Sequence, residues 1–596
     1  MKPAPKPNRE VDAAPPATAP VDQDSVRGRA LQLIREGDAI FAARSPMLSL
    51  WQDMAETFYV ERADFTAGRN PGSAFASHLM TGQPLQARQE LANAVGGMLR
   101  PPGRDWFRVS LRSNAGHETS QAAQTWLEAM TGRMRAAMYE PRAAFQRAAK
   151  QADNDYVTFG NAVISVEPNW RDTSLLFRCW HLKDVVWRED FTGRVDEVHR
   201  RSTMTALEAT RLFPRSHAPE LKAMSDEQLR SHKLEIRHVA LPADRFGDPS
   251  IGARFVSVFV DVAHGHVMEA VGRSTLGYVV PRWQLVSGSV YGYSPTAVAS
   301  ISDARMLQDM TRTILEAGEK AVDPPMIATQ EAVRSDVALY PGGITYVDAA
   351  YDERLGAAIR PISQDRSGLP LGLEMQQDVR RQIAAAWMLN KLTLPQAGGM
   401  TAYEVGQRVQ EYVRQALPLF EPIEAEYSAA LCQETFDVLR AVGAFGHASA
   451  WPVEVLENDV AFQFENPFVA ASDGAALGQY ETVAGLLDRH QTIDPDAGQE
   501  IAARQMFRDA IKATGAPAAW LKDDQSADAG RGEAMTARNA AAALERAAAG
   551  GKAAQALGAG VDALATSADK LDPAAVEAAL AGIVGGAAPE PGEGGP

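Results

Sequence analysis

YVVPRWQLVSGSVYGYSPTAVASISDARMLQDMTRTILEAGEKAVDPP, running from Tyr278 to Pro325, decides the architecture. It reads as a strand, a Gly/Pro-rich turn and one long helix with an abrupt stop. The turn is Tyr291, Gly292, Tyr293, Ser294 and Pro295. Ser300 with Asp303 gives a capping-box-like helix start. Leu307, Met310, Ile314, Ala317 and Ala321 recur at three- and four-residue spacing and form one apolar stripe. Asp323, Pro324 and Pro325 end the helix, because proline lacks the N–H and clashes with the preceding turn. No residue of the stretch is suited to catalysis. A segment so specific in structure and so poor in reactive groups points to mechanical work done by assembly.

Working outward toward the C-terminus, a short β-like excursion covers Met326 to Ile362. A second helix follows near Leu369–Asn390, with Met375, Val379, Ile383, Trp387 and Asn390 on one face. Two helices joined by a small β insert make a stalk with a folded tip. A loop (Lys391, Leu392, Thr393, Leu394, Pro395, Gln396, Ala397, Gly398, Gly399, Met400) leads into a long helical pattern. Val405, Val409, Tyr412, Ala416, Phe420, Ile423, Tyr427 and Leu431 mark its apolar stripe. Continuous to about Val442, that helix would be on the order of 60 Å long. Pro418 and Pro422 each remove an intrahelical bond and predict a kink. An extended piece, Val460–Phe464, precedes further helices at Gly474–Arg489, Asp496–Gly515 and Asp528–Ala549. The Ala/Gly-rich remainder, 550–596, reads as a flexible tail.

Toward the N-terminus, residues 1–24 are rich in Pro and Ala and read as a disordered tail. From Ser25 to Gly68 the pattern is helical, with Leu33, Phe41, Leu48, Trp51, Ala55 and Phe58 at helical spacings and a fresh start at Ser45-Pro46. Further helical runs cover Leu85–Leu99, Ser120–Tyr139 and Pro141–Asp155. The period then changes to two. Ala162–Pro168, Leu175–Leu182, Arg194–Met204, Lys233–Leu241, Ala253–Val262 and His266–Gly272 alternate and predict one antiparallel meander, with a helical insertion near Met204–Leu212. The fold class is α+β, predominantly helical.

The chain has 596 residues, 45% hydrophobic, with a formal net charge of −16. That is ample for a large core. A protein that clamps nucleic acid needs a basic face to neutralise phosphates, and the acidic balance argues for loose contact instead. The two cysteines, Cys179 and Cys432, lie far apart and read as reduced, buried thiols. The N-terminus lacks an apolar signal core, and no window reaches the ~18 apolar residues needed to span a bilayer. The expectation is a soluble chain made in a cytoplasm.

Candidate chemistry is sparse. Asp261, His264 and His266 at a hairpin could ligate a metal, but zinc needs three or four converging ligands, and a polar turn accounts for them. Asp153-Asn154-Asp155 lacks the Gly and later Glu of a calcium loop and reads as a helix-to-strand turn. Gly550-Gly551-Lys552-Ala553 lacks the hydroxyl and glycine spacing of a P-loop. Trp51, Trp106, Trp283 and Trp387 fit core or subunit-interface anchors better than base-stacking platforms. Tyr291 and Tyr293 fit a role in fixing the turn. Arg62, Arg100 and Arg104 read either as holding a carboxylate of a neighbouring subunit or as solvated surface.

WQDMAETFYVERADF (Trp51–Phe65), LANAVGGMLRPPGRDWFRVSL (Leu91–Leu111), GNAVISVEP (Gly160–Pro168), VVPRW (Val279–Trp283), VYGYSP (Val290–Pro295), LEAGEKAVDPP (Leu315–Pro325), MTAYEV (Met400–Val405) and NPFVAAS (Asn466–Ser472) occur in an order that resembles the portal, or head-to-tail connector, proteins of podovirus-type bacteriophages. The resemblance runs from about Val26 to about Ala540. It implies a dodecameric ring at one capsid vertex, through which double-stranded DNA is packaged and ejected without sequence specificity. It implies a wing at 25–296, a first stem helix at 297–325, a clip at 326–367, a second stem helix at 368–391 and a tunnel loop at 392–400. A long kinked helix returning to the wing at 401–466 and a crown at 467–549 complete the plan. Implied partners are copies of itself, a tail adaptor, major capsid and scaffolding proteins and a terminase motor. No cofactor, membrane or enzymatic activity is implied, and the place is the virion, after assembly in the host cytoplasm. Arg380, Arg381 and Lys391 are channel-proximal and would guide DNA weakly. The alternatives are an internal or minor virion protein that forms no channel, and a virion hydrolase.

Overall fold

The computed structural model describes residues 23–68, 76–101, 105–112, 120–169, 174–214, 218–248, 251–328, 354, 359–361, 368–389 and 423–464. It also describes 478–490, 502–513 and 527–542 apart from 479, 528, 537 and 540. The chain divides into two compact units, Met1–Ala516 and Pro517–Pro596. Among the described residues of the second, 529–536 are helical. The first is mostly helical with several small sheets, as the sequence pattern predicts.

Its N-terminal helices are α1 (Gln23–Ala43), α2 (Ser45–Phe58), α3 (Gln83–Leu99), α4 (Gln121–Tyr139) and α5 (Phe145–Phe159). Pro46 lies in the first turn of α2, where its missing N–H costs nothing. Ser120 caps α4 by accepting from the Ala123 amide. The core gathers Trp51, Phe58, Trp106, Tyr156, Phe159, Trp283 and Trp387. The four tryptophans singled out from the sequence are therefore packing residues.

The single meander expected from the alternating stretches is two sheets. β2 (Ile164–Pro168) lies between β3 (Leu175–Cys179) and β9 (Tyr278–Val279). A second sheet holds β4 (Val185–Glu189), β5 (Val195–Thr205), β6 (Lys233–Pro242), β7 (Phe255–Asp261) and β8 (His266–Arg273) in sequential antiparallel order. The division falls at a 3-10 turn, Leu182–Asp184. Arg44, buried, donates to the carbonyls of Leu182, Lys183 and Val185 there and fixes the break. β4 escaped the sequence reading because Val185, Val186 and Trp187 are consecutive and all buried, so they show no alternation. The helical insertion is α6 (Ala206–Leu212), α7 (Pro219–Lys222) and α8 (Asp226–Ser231), with α9 (Ala243–Phe246) after β6. β1 (Phe107–Leu111) pairs antiparallel with β12 (Val460–Phe464), joining the extended piece to the N-terminal helices.

α10 spans Pro295–Val322 and α11 spans Gly368–Ala386. Two corrections follow. The cap of α10 is Ser294, which accepts from the Ala297 amide at 3.2 Å, with Pro295 in the first turn. Ser300 and Asp303 lie inside the helix, because Pro295 presets the helical φ nearly two turns earlier. On α11 the buried face is Gln376, Val379, Ile383 and Trp387, whereas Met375 is exposed. The face turns by one residue because Gln376 donates to Thr311 Oγ1 at 2.7 Å.

Past α11 the chain is described again from Ile423. A π turn, Glu424–Ala429, runs into α12 (Ala430–Ala441). The loop Leu392–Met400, Lys391, Asn390, Pro418 and Pro422 lie outside the described residues, as do Arg104 and 550–553. Helix also covers 480–490 and Ala503–Ala513. Among the described residues, no helix is long and apolar enough to cross a membrane.

Candidate functional site

The stalk forms as an antiparallel pair of helices. Trp387 Nε1 donates to Ser300 Oγ at 2.9 Å near the body. Gln376 meets Thr311 further out, and Gly372 approaches Ile314 beyond that. Each level advances on α10 as it retreats on α11. The register continues into β10 (Met326–Ala328) and β11 (Ile359–Pro361), which pair antiparallel at the far end. Asp323, Pro324 and Pro325 fall between α10 and β10, where the sequence places the stop.

Burial divides the pair. Ala297, Ser300, Ala304 and Leu307 are sealed by the body. Beyond Thr311 and before Gln376 most of the described residues of the two helices are exposed. There Leu315 and Leu371 are more than half exposed and Val322 is 88% exposed. At about 1.5 Å per residue, the outer part of α10 projects roughly 15 Å beyond Thr311. Arg380 and Arg381 are on the exposed side of α11, and Arg381 pairs with Asp378 at 3.0 Å.

The root of the stalk is locked by backbone. Gly160, at φ +73°, ends α5. A Cβ there would fall inside the backbone of Tyr293 and Ser294. Gly292 is tight as well: a Cβ would lie 2.8 Å from the Gly160 carbonyl oxygen. Asn161, fully buried, clasps Gly292 in both directions. Its Nδ2 donates to the Gly292 carbonyl at 2.7 Å, and its Oδ1 accepts from the Gly292 amide at 2.8 Å. Ser294 Oγ donates to the Val157 carbonyl at 2.6 Å. Tyr291 wedges between Trp51 and Trp187, its ring centroid 5.8 and 4.6 Å from theirs. Tyr291, Gly292 and Ser294 thus hold this turn against the body. Asn161 was missed, and the signal was Gly160-Asn161 directly before an apolar strand.

Two buried charge networks surround the root. The first corrects the reading of Asp153-Asn154-Asp155 as a turn, and of Arg62 and Arg100 as surface or intersubunit groups. The three acidic and amide residues lie within α5. Asp155 takes a bidentate pair from Arg62, at 2.6 and 3.2 Å. Asn154 accepts from Arg88, and Asp153 from Arg100. Tyr427 OH adds a bond to Asp153 Oδ1 at 2.9 Å. Burial pulls the Arg100 guanidinium down, but Asp153 beside it more than offsets this and holds it above its ordinary value. The second network centres on Arg282, which is buried. It donates to Glu189, to the Gly193 carbonyl at 3.0 Å and to both carboxylate oxygens of Glu426, at 3.2 and 3.0 Å. These bonds tie β4, the hairpin after it and the π turn to the strand that leads into the stalk.

Glu434 on α12 accepts from the Gly277 amide at 2.9 Å. Burial pushes its carboxyl up to about 7, against hydrogen bonds from Thr275 and Gly277 that pull it down. A carboxyl raised in the folded state binds its proton more tightly there than when unfolded. Its stabilising contribution is therefore full below the ordinary value of 4.5 and lost as pH rises through about 7. Relative to Glu434→Gln, the native protein should lose up to about 3 kcal/mol between pH 5 and 8. Urea titrations of both proteins at the two pH values check this, and a constant difference would refute it.

The remaining candidates resolve simply. His264 Nδ1 lies 2.7 Å from Asp261 Oδ2, a polar turn, and no group able to hold a metal occurs among the described residues. Cys179 and Cys432 are free thiols, both pushed well up by burial.

The described residues thus form an antiparallel two-helix stalk rooted in a body of helices and small sheets. Residues 32–521 match the family model of bacteriophage head to tail connecting proteins, and the chain belongs to that family. It is 25% identical over 490 residues to the probable portal protein of Bordetella phage BPP-1, covering 78% of this chain and 84% of that protein. It is 19% identical over 406 residues to the portal protein of Salmonella phage epsilon15, covering 66% and 72%. Among solved structures, a chain of the native gene transfer agent virion aligns over 70% of this chain and 91% of its own, with 9% identity and a TM-score of 0.30.

Proposed function

We propose that copies of this chain assemble into a dodecameric ring, the portal at one capsid vertex of a short-tailed phage. Double-stranded DNA enters and leaves through its axis. α10 and α11 form the stem around that axis. The β10–β11 hairpin, within 326–367, begins the clip that takes the tail adaptor. The loop Leu392–Met400 borders the tunnel, and the helices after 467 form the crown. Capsid and scaffolding proteins surround the ring, and the terminase motor docks during packaging.

One observation carries this reading. The outer half of the stalk exposes Leu315, Val322, Leu371, Leu373 and Met375 on a pair of helices that the body does not cover. Leu315 with Val322, and Leu371 with Met375, recur on one face of their helices; exposed apolar rows mark interaction surfaces, and a closed ring of identical stalks would cover them from each side. The acidic balance suits a conduit that must not hold phosphates. Guidance by Arg380, Arg381 and Lys391 is weak, since Arg381 already shares its charge with Asp378. Negative-stain imaging of the purified full chain tests the reading. A ring with an axial hole supports it; a monomer at micromolar concentration would overturn it.

A further inference from the structure

The helix carrying Tyr427 contains one wide turn. Glu424–Ala429 form a π turn, and α12 continues from it in ordinary register. Such a turn holds one residue more than an α-helix needs. Two consecutive side chains hold it to different neighbours: Glu426 grips Arg282, and Tyr427 donates to Asp153.

The turn also carries a fault. Ser428 is buried, and its hydroxyl has no partner among the described residues. Five buried hydroxyls in ordinary helical turns donate to the carbonyl four residues back. Thr131 reaches Leu127 at 2.8 Å, and Thr158 reaches Asn154, Ser300 reaches Thr296, Thr311 reaches Leu307 and Thr435 reaches Leu431, all at 2.7 Å. For Ser428 the acceptor at that spacing is the Glu424 carbonyl, and the bond is not made. Expelling one residue would bring it into line.

We propose that Glu424–Ala429 is a two-register switch. The π register is held by Glu426–Arg282 and Tyr427–Asp153. In the α register Ser428 bonds the Glu424 carbonyl. Ile423 is then turned by about 100° and shifted by about 1.5 Å relative to α12, while α12 and the stalk root stay fixed. It is independent of the ring reading, and so is its test.

Hydrogen exchange by mass spectrometry on the full chain, with urea titration of each variant, reads it. In the native protein, amides of 426–430 should exchange about tenfold faster than those of 433–440. Ser428→Ala removes the α-register bond and should slow 426–430 toward the flanking rate without loss of global stability. Glu426→Gln with Tyr427→Phe removes both anchors and should quicken it further. Equal exchange in the turn and in α12, unmoved by Ser428→Ala, would overturn the proposal. So would a Ser428→Ala chain of lowered global stability. Should the double variant fail to fold, Ser428→Ala alone decides.

Discussion

Asp153→Ala is expected to lower the unfolding free energy by about 3–5 kcal/mol, the cost of leaving one member of a buried ion pair alone. Arg100 and Asp153 are both nearly sealed from solvent, at 6% side-chain exposure each. The change strands the Arg100 guanidinium and leaves Tyr427 OH with only the Ala149 carbonyl, at 3.5 Å. Asp153→Asn keeps the shape and an acceptor but loses the charge, so it should fall between native and Ala. Equilibrium urea unfolding measures both. A loss under 1 kcal/mol for Asp153→Ala would mean that Arg100 reaches water, contrary to the packing described. Arg62→Ala strands Asp155, 1% exposed, in the same way, although Arg62 itself is 23% exposed.

Gly160→Ala should be as damaging for a different reason. Left-handed backbone alone costs an alanine about 1–2 kcal/mol. That penalty is bearable: Ala144 carries it at φ +55° at the other end of α5. At Gly160 the methyl also meets the backbone of Tyr293 and Ser294. Backbone cannot rotate away as a side chain would, so the turn into the stalk must move, adding roughly 1–3 kcal/mol for overpacking. The expected total is about 3–5 kcal/mol, with protease sensitivity appearing around 284–296. Gly193→Ala is the control. Gly193 has φ +80° but nothing within 4 Å of the added Cβ. It should show the left-handed penalty alone. Equal effects at the two sites would remove the claim that Gly160 secures the stalk root.

Much of the stalk was legible because its signals are local. Pro295 and Asp323-Pro324-Pro325 bound α10 by steric rules that need no tertiary context. The tryptophans stood out by size. What stayed hidden depends on partners remote in the chain. Asp153 and Asp155 look like a turn until Arg100 and Arg62 are brought beside them, from 53 and 93 residues away. Gln376 displaced Met375 from the buried face of α11 only because Thr311 lies opposite. β4 shows no alternation because both its faces are covered. The π turn leaves no mark in the residue pattern, since a single extra residue hardly disturbs an apolar stripe read over two turns.

The central claim is that α10 and α11 of neighbouring copies stand side by side around an axial opening. A cryo-EM map of the assembled full chain, resolved well enough to trace helices, tests it most directly. The account expects a closed ring whose hole is bordered by residues 295–322 and 368–386, with Leu315, Val322 and Leu371 covered by adjacent copies. A ring whose hole is bordered by other segments, with these two helices pointing outward into solvent, would contradict it.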